Sequence, residues 1–257
     1  MNGAFEVSAA AMRAEQSALE ILANNIANAN TPTFKRSDAR FSEVLATQVQ
    51  ADGRIDTTQG ASNIQGSGIR VVANDLLFLQ GDLRATGNPL DLAIEGSGFL
   101  EVMGPAGQSL LWRGGTLSVT DDGMLATADG LSLRAGITLP VDTKELTIDR
   151  SGIVKVKTST DEELEIGQLT LVRSEAESQI ERLDGGLFRL REGERLTEAM
   201  PGEDGVGSIA QGSLEESNVQ LTDEMVQLLV IQRSFAATAQ VIQAADQLAA
   251  ISNNLRQ

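Results

Sequence analysis

Cysteine, histidine and tyrosine are absent from this 257-residue chain. Without cysteine it has no disulfide framework, no thiolate nucleophile and no cysteine-ligated zinc. Without histidine it lacks the most frequent general base and metal ligand, which excludes Ser-His-Asp and Cys-His catalysis. We therefore predict a protein with no catalytic residues, no metal site and no cofactor.

Aromatic side chains are also scarce, since the chain has one Trp and seven Phe. The enzyme class left open is a glycan hydrolase that uses carboxylates alone, and acidic residues are plentiful. Such an enzyme needs a pair of carboxylates flanking the scissile bond, in a groove whose aromatic rings stack on sugars. So few aromatic residues make that groove hard to build, and we predict that the protein is not an enzyme.

The formal charge of −16 is unevenly distributed. The first 40 residues carry four acidic and four basic side chains, and the last 37 carry three and two, so the middle holds a net charge of −15. Nucleic-acid binding needs clustered Lys and Arg, so we predict no nucleic-acid partner. Near-neutral ends can approach one another without repulsion.

Long apolar runs are missing as well. No run approaches the ~18–20 residues of a membrane span, so we predict no membrane insertion. The N-terminus lacks the basic region of a cleavable signal peptide, and Glu6, Arg13 and Glu15 interrupt any apolar core. If the protein leaves the cytoplasm, we expect export without a cleavable signal peptide.

Both ends of the chain are predicted to be long helices, because residues 3–28 and 223–255 contain no proline and only one glycine, Gly3. The first helix carries an apolar residue every seven positions, and Leu22 widens this stripe. The heptad row consists of Phe5, Met12, Leu19 and Ile26. Such spacing favours a seam for a partner helix.

The last helix is predicted to start with Thr222 as its N-cap. Its apolar residues also recur at heptad spacing, at Leu221, Leu228, Phe235 and Ile242, with Ile231 and Leu248 beside them. A helix of this length spans roughly 50 Å, longer than a core of this size needs. We predict coiled-coil packing, either between the two ends of one chain or between chains.

The middle of the chain is predicted to consist of short strands and turns. Asp-Gly hairpin turns are expected at Thr120–Gly123 and Asp149–Gly152. The acidic residues near the first turn lack EF-hand spacing, and a strand follows Gly96–Gly98, so neither a calcium loop nor a phosphate loop is predicted. Before the strands, a short helical start is expected at Phe41–Gln50.

These patterns together predict an α+β protein in four segments. The N-terminal helix and turn (1–40) and the C-terminal helix (213–257) form a core domain with coiled-coil-like packing. Between them lie an extended loop or brace (41–70) and a central all-β outer domain (71–212).

Motifs at both ends resemble those of bacterial flagellar axial proteins, the family of rod, hook and hook-associated subunits. The N-terminal motif is Ala23-Asn-Asn-Ile-Ala-Asn-Ala-Asn-Thr31, continuing to Phe34-Lys35-Arg36, and the C-terminal motif runs from Gly212 to Val219. In the middle, Leu90–Gly96 resembles the entry of the family's β-domain, and Arg113-Gly114 its hairpin region. The resemblance covers nearly the whole chain, with the motifs in the expected order.

The resemblance implies a structural subunit that polymerises helically into the flagellar rod, the shaft that transmits motor torque to hook and filament. Its implied partners are further copies of this chain, other rod subunits, the hook subunit, the surrounding basal-body rings and the export apparatus. The implied location is the flagellar basal body, spanning the periplasm. The helix rows named above and four motif residues are the predicted assembly residues. The four are Asn24, Asn25, Asn28 and Phe34.

The chain length fits the rod subunits that carry one β-domain. Gly66–Val71 and Pro201–Gly207 resemble the distal rod subunit and Asp184–Arg189 the proximal one, so the distal subunit is favoured. The alternatives are a proximal rod or hook-type axial subunit and, less favoured, a secreted β-domain adhesin with helical oligomerisation ends.

The N-terminal loop departs from the family at one position. Relatives usually have glycine before the Phe-Lys pair, and this chain has Thr33. Glycine allows a positive φ at no steric cost, so we expect the loop to take a different turn here.

Overall fold

The computed structural model describes residues 2–45, 66–75, 79–174, 180–191 and 195–254. It contains two compact units. The helical unit comprises Met1–Ala27, Ser37–Asn74 and Gln220–Gln257, and the β-rich unit comprises Asn28–Arg36 and Asp75–Val219. The mixed architecture, with one helix near each end and a β-domain between them, confirms the predicted combination of elements. The predicted segment boundaries stay a prediction. In the structure, the loop after the first helix and residues 213–219 belong to the β-rich unit.

Two helices dominate the helical unit. Helix α1 spans Asn2–Ala27, and helix α2 spans Leu221–Asn254. At the start of α2, the carbonyl of Gln220 accepts hydrogen bonds from the backbone N–H groups of Asp223 and Glu224, both at 3.1 Å. Helix α2 therefore starts one residue before Thr222, the predicted cap. The two acidic residues still lie at the positive end of the helix dipole.

The helical unit also contains two strands where a helix and an extended loop were expected. Strand β1 spans Ser37–Leu45 and pairs with β2, Gly66–Asp75, in a two-stranded sheet. The predicted helical start at Phe41–Gln50 is thus wrong for its first half, and its second half lies outside the described residues. The β-branched residues of β2 favour an extended partner strand, and pairing with it overrides the weak helical pattern of β1.

The β-rich unit consists of short antiparallel strands. They are β3 (Leu83–Ala85), β4 (Asp91–Glu95), β5 (Leu100–Met103), β6 (Ser109–Trp112), β7 (Gly114–Val119), β8 (Leu125–Thr127), β9 (Thr143–Ile148), β10 (Ile153–Thr158), β11 (Glu163–Gln168), β12 (Leu171–Ser174), β13 (Ile180–Arg182), β14 (Leu187–Leu190), β15 (Leu196–Ala199), β16 (Ser208–Gln211) and β17 (Ser213–Glu215). Two four-stranded sheets have the orders β16-β4-β7-β8 and β13-β14-β6-β5. A three-stranded sheet, β11-β10-β9, and the pairs β12-β15 and β17-β3 complete the unit as described.

Both predicted Asp-Gly hairpins are confirmed. The first joins β7 to β8, with Val119 opposite Leu125, and the second joins β9 to β10. In the second turn, the Asp149 carboxylate accepts hydrogen bonds from the Ser151 hydroxyl at 2.7 Å and from the Ser151 N–H at 2.9 Å. These bonds, the hydroxyl's first, lower the pKa of Asp149. Gly152 has a φ of 83°, and a Cβ there would lie 2.3 Å from the carbonyl oxygen of Leu169.

The strands enclose a continuous apolar core. Its fully buried members include Leu92, Ile94, Val102, Leu117, Leu125, Val154, Val156, Leu169, Leu171 and Ile209. A smaller cluster is built around Phe99 and Phe188, whose ring centroids lie 5.4 Å apart at an interplanar angle of 59°. The β-rich unit therefore has a closed core of its own.

Candidate assembly surface

Helices α1 and α2 pack against each other along a seam of small and apolar residues. On α1, Ala14, Ala18 and Leu22 are buried, and on α2, Leu228 and Ile231 are half-buried. Small side chains on α1 let the two backbones approach closely. The hydrogen bonds described next pair the C-terminal end of α1 with the N-terminal end of α2, so the helices are antiparallel.

Polar residues occupy two positions of this seam. The Glu15 carboxylate accepts hydrogen bonds on Oε1 from the hydroxyls of Ser234 and Thr238, the second at 3.2 Å. Its Oε2 is buried and has no hydrogen-bond partner among the described residues. Glu15 is only 7% exposed. A buried carboxylate with one oxygen unpaired lowers the stability of the pair rather than raising it.

The second polar position ties three elements together. The Asn25 amide donates from Nδ2 to Glu224 Oε2 at 3.1 Å and to the carbonyl oxygen of Ser37 at 2.8 Å. Its Oδ1 accepts from the Ser37 N–H at 3.0 Å. Asn25 therefore fixes the end of α1 against the start of β1 and the start of α2. Among the predicted assembly residues, Asn25 is buried within the chain and the neighbouring Asn24 is exposed.

The predicted heptad row of α1 lies beside the seam. Met12, Leu19 and Ile26 are half-buried, whereas the residues that face α2 are Glu15, Ala18, Leu22 and Asn25. Phe5 belongs to α1, but its side chain is not among those described. The seam residues follow alternating steps of three and four, which sum to the seven-residue step of the predicted row, so both rows share one period. The contribution of Met12, Leu19 and Ile26 to assembly stays a prediction.

The predicted apolar row of α2 is buried at some positions and exposed at others. Leu228, Ile231 and Ile242 are half-buried, while Leu221 and Phe235 remain 40% and 39% exposed. The side chain of Leu248 is not among those described. Because Leu228, Ile231 and Ile242 each stand four or seven residues from Glu224 or Thr238, they share the face of α2 that is turned to α1.

The opposite side of α2 is apolar and exposed, and we call it the outer face. It consists of Met225, Val226, Leu229, Val230 and Val241, which are 58%, 61%, 55%, 61% and 56% exposed. Helices that are apolar all round are normally buried on all sides. Contiguous exposed apolar patches mark interaction sites. Sequence reasoning followed the heptad rows and missed this second stripe.

One helix in the described part of the chain has the length and composition of a membrane span. It is Leu221–Gln247, within α2, with a mean hydropathy of 1.3. A search for uninterrupted apolar runs does not find this helix, because four charged residues interrupt it: Asp223, Glu224, Arg233 and Asp246. The prediction of no membrane insertion stays a prediction.

The family motifs meet in a buried charge cluster of the β-rich unit, formed by Lys35, Arg113 and Glu215. All three are at most 3% exposed. Glu215 Oε2 accepts from Arg113 Nε at 2.9 Å, and its Oε1 accepts from Lys35 Nζ and from the Gly81 N–H, the latter at 3.0 Å. Lys35 Nζ also donates to the carbonyl oxygen of Leu79 at 2.8 Å. Both oxygens of the buried carboxylate are therefore satisfied.

The charge cluster holds one anion and two cations. Burial lowers the pKa of Lys35 most strongly, the Glu215 carboxylate opposes this shift, and Arg113 adds to it. Arg113 is held further by hydrogen bonds from its guanidinium to the carbonyl oxygens of Gly96 and Gly98. Sequence reasoning quoted all three charged residues as motif members but could not pair positions 180 residues apart.

The loop after α1 is held in the β-rich unit by further contacts on either side of Lys35. The Arg36 N–H donates to Asn218 Oδ1 at 2.6 Å, and the Arg182 guanidinium lies 3.8 Å from the centre of the Phe34 ring. Phe34 is buried, and Asn28 is half-buried and closes a turn with the Thr31 N–H at 3.0 Å. These two predicted assembly residues are used within the β-rich unit.

Thr33 adopts the conformation that glycine favours, contrary to the expected change of turn. Its φ is 60°, in the left-handed region. Its N–H donates to the carbonyl oxygen of Glu215 at 2.8 Å, and the side chain is buried. These contacts hold a β-branched residue in a conformation that costs about 1–2 kcal/mol.

No group of three or more acidic side chains in the described ranges is arranged to hold a metal ion. The residues around the first Asp-Gly turn line a surface groove of ≈ 520 Å³ together with Val119, Val141 and Lys144. No contact that we describe gives this groove a chemical role.

Three family models match the chain, in the order of its own motifs. "Flagella basal body rod protein" matches residues 5–35, "Flagellar hook protein FlgE/F/G D1 domain" matches 93–156, and "Flagellar basal body rod FlgEFG protein C-terminal" matches 210–255. The matched ranges contain most of α1 and the loop after it, part of the β-rich unit, and α2.

Full-length relatives agree with these matches. The flagellar basal-body rod protein FlgG of Caulobacter vibrioides is 33% identical over 98% of this chain and 99% of its own length. The FlgG of Borreliella burgdorferi is 32% identical over 100% of this chain and 99% of its own length. The flagellar basal-body rod protein FlgF of Caulobacter vibrioides is 31% identical over 87% of this chain and 85% of its own length.

Proposed function

Since this chain belongs to the flagellar basal-body rod protein family and is most like the FlgG members, we propose that its copies polymerise helically into the flagellar rod. It is a structural subunit and not an enzyme, and it assembles with other rod components in the flagellar basal body. The similarity does not favour the adhesin or the hook-type alternatives.

The outer face of α2 is the observation that carries the proposal. It leaves five large apolar side chains more than half exposed in the single chain. Fully burying a Val, Leu or Met side chain stabilises by about 1.5–3 kcal/mol each. Neighbouring copies could cover this face, and the contact would be between different surfaces. Contacts of that kind that do not close into a ring build an open helical polymer.

The half-buried row of α1 supports the same assembly. Met12, Leu19 and Ile26 stand beside the seam with their apolar surfaces only partly covered. In the proposed rod they pack, together with Phe5 and Leu248, against helices of neighbouring copies in a coiled-coil-like core. Residues 41–70 are proposed to brace neighbouring subunits; of this segment the structure describes 41–45, in β1, and 66–70, in β2.

The specific binding partners and the location in the cell are proposed as well. We infer contacts with further copies of this chain, the hook subunit and the surrounding basal-body rings. The assembled rod spans the periplasm and transmits torque, and the chain reaches it through the flagellar export apparatus. The resemblance of the end motifs to rod and hook subunits supports these assignments.

Electron microscopy and sedimentation of the purified full-length protein test the proposal. We expect concentration-dependent filaments of uniform diameter that sediment at high speed. A closed small oligomer, or a monomer at all concentrations, would contradict helical polymerisation. Flotation with vesicles in the same buffer separates this from the membrane alternative, in which the protein would rise with the lipid.

A further inference from the structure

We propose that Glu15, through its hydrogen bonds to Ser234 and Thr238, fixes the register in which α1 and α2 pair. The inference deepens the proposed function, because the register decides where along α1 the outer face of α2 is presented to neighbouring subunits. It concerns pairing within one chain and can be tested without polymerisation.

The apolar residues of the seam do not define the register by themselves. They recur at heptad positions on both helices, with Ala11 and Ala18 seven residues apart on α1 and Leu228 and Ile242 two heptads apart on α2. Sliding one helix by seven residues keeps the same faces in contact and moves it by about 10.5 Å along the axis. Small alanine side chains on α1 would accept several different partners at little steric cost.

The polar residues distinguish these alternatives. Moving ten residues back along α1, from Asn25 to Glu15, moves the contact on α2 forward from Glu224 to Ser234 and Thr238. Each residue back along α1 therefore corresponds to about one residue forward along α2. A slip by seven in one direction places Glu15 against Val241 and Ala245, which offer no donor.

The slip in the other direction is disfavoured as well. It places Glu15 against Gln227 and Ile231, so at most one amide donor replaces two hydroxyls. Asn25 then loses Glu224, because the position seven residues earlier precedes the first residue of α2. In either slipped register a buried carboxylate or amide loses hydrogen bonds, and that loss is destabilising because Glu15 and Asn25 are themselves buried.

The cost of Glu15 is consistent with a role in specificity. Even in the observed register its Oε2 has no partner among the described residues. An apolar side chain at this position would fill the seam without an unpaired oxygen. A buried polar residue that lowers stability and selects one register is the best-attested use of such groups in helix pairs.

Disulfide trapping tests the inference, because the chain has no cysteine of its own. In antiparallel helices, a step forward along α1 corresponds to a step back along α2. Ala18 stands three residues after Glu15 and Phe235 three before Thr238, so the two are expected to oppose each other. A disulfide between Ala18→Cys and Phe235→Cys therefore indicates the observed register. Ala18→Cys with Ile242→Cys, or with Leu228→Cys, reports a slip by seven in either direction. Each full-length pair is oxidised in dilute solution, and the intramolecular disulfide is measured by peptide mapping of the monomer band.

With Glu15 present, we expect each slipped pair to form on the order of tenfold less disulfide than the observed pair. Losing one hydrogen bond to a charged group changes an equilibrium by about that factor. In Glu15→Leu the slipped pairs should rise several-fold relative to the observed pair but stay below it, because Asn25 still loses Glu224 when the helices slip. Glu15→Gln should keep the original pattern, because its amide oxygen accepts from the same two hydroxyls. Glu20→Leu, the same change at an exposed position of α1, should also keep it.

If Glu15→Leu does not fold, the triple variant Glu15→Leu, Ser234→Ala and Thr238→Val provides the same test with an apolar seam throughout. Exclusive formation of the pair between positions 18 and 235 in the apolar seam would overturn the inference. Failure of the unmodified full-length protein to polymerise would instead contradict the proposed function, and a rise of the slipped disulfides in Glu15→Leu would still support the register role.

Discussion

In the β-rich unit both oxygens of the buried Glu215 carboxylate have donors, whereas in the helical unit one oxygen of the buried Glu15 carboxylate has none among the described residues. The same contrast holds for apolar surface. The β-rich unit encloses a core of fully buried side chains, while α2 exposes Val226, Leu229 and Val230 by more than half. The β-rich unit thus pairs its buried carboxylate and encloses a core, although single apolar side chains such as Val141 and Leu164 are exposed. The helical unit leaves a buried carboxylate oxygen unpaired and several apolar side chains of one helix uncovered.

This difference indicates that the two units have different roles in assembly. A unit with a closed core and a satisfied charge cluster can fold before assembly. A pair of helices with an uncovered apolar side gains stability from neighbours. We therefore expect assembly to act on the helical unit and to leave the β-rich unit nearly unchanged.

The largest expected effect follows from placing a charge on the outer face. Leu229→Asp should abolish sedimentable polymer, since an unpaired charge cannot be buried cheaply against a neighbouring helix. The single tryptophan, Trp112, is buried in the β-rich unit, so its fluorescence should show that this unit remains folded. Gln240→Asp adds a charge on the same side of α2 without removing an apolar contact, and it should reduce polymer much less. Undiminished polymer from Leu229→Asp would refute the role of the outer face.

The next effect concerns the charge cluster. Glu215→Gln leaves two buried cations without a counter-charge and should lower the free energy of unfolding of the β-rich unit by about 3–5 kcal/mol. Denaturant titration followed by Trp112 fluorescence measures this loss. Glu216→Gln is the matched control, because Glu216 is half exposed where it pairs with Arg84 at 2.9 Å. Its change should stay within about 0.5 kcal/mol, and an equal loss in both variants would argue against the cluster.

A smaller effect of opposite sign is expected at the loop after α1. Thr33→Gly relieves a positive φ of 60° and should stabilise the β-rich unit by up to about 1 kcal/mol. The denaturation midpoint of the Trp112 signal should therefore rise. Thr138→Gly is the control, because its φ is not positive and glycine there should destabilise. A lower midpoint for Thr33→Gly would show that its buried contacts outweigh the backbone strain.

The smallest effect is the pH dependence of the β-rich unit. Burial lowers the pKa of Lys35 from its ordinary value of 10.5, so below that value the unfolded chain binds more protons there than the folded chain. Stability should therefore rise as pH is raised from about 8 to about 10. The chain has four lysines and no Cys, His or Tyr, so few other groups titrate in this range.

Urea titrations at the two pH values, read from Trp112 fluorescence, measure this slope. Lys35→Met should abolish it, and Lys155→Met, at an exposed lysine, should retain it. A slope that persists in Lys35→Met would assign the pH dependence to another group.

Sequence reasoning succeeded where the pattern is local. Helix periodicity and the absence of proline located α1 and α2, and the Asp-Gly turns at Gly123 and Gly152 located two hairpins. It failed at Phe41–Leu45, where pairing with a distant strand overrode a weak local pattern. It could not pair Lys35 with Glu215, because contacts between remote segments depend on the whole fold.

The candidate assembly residues show the same limit. Heptad spacing identified apolar rows on both helices, but not which row faces inwards. The buried seam includes Glu15, a charged residue that no hydrophobic pattern selects. A fragment cut at the predicted bounds of the β-domain, 71–212, would omit both Lys35 and Glu215 and leave Arg113 buried without its counter-charge.

Hydrogen exchange of the full-length protein, compared between a dilute monomer and sedimented polymer, tests the central claim most directly. We predict that amides of α1 and α2 gain strong protection on polymerisation, whereas those of the β-rich strands, such as β4 and β10, are already protected in the monomer. Helices as protected in the dilute monomer as in the polymer, or strands that gain protection only on assembly, would contradict the division between a self-sufficient unit and one completed by its neighbours.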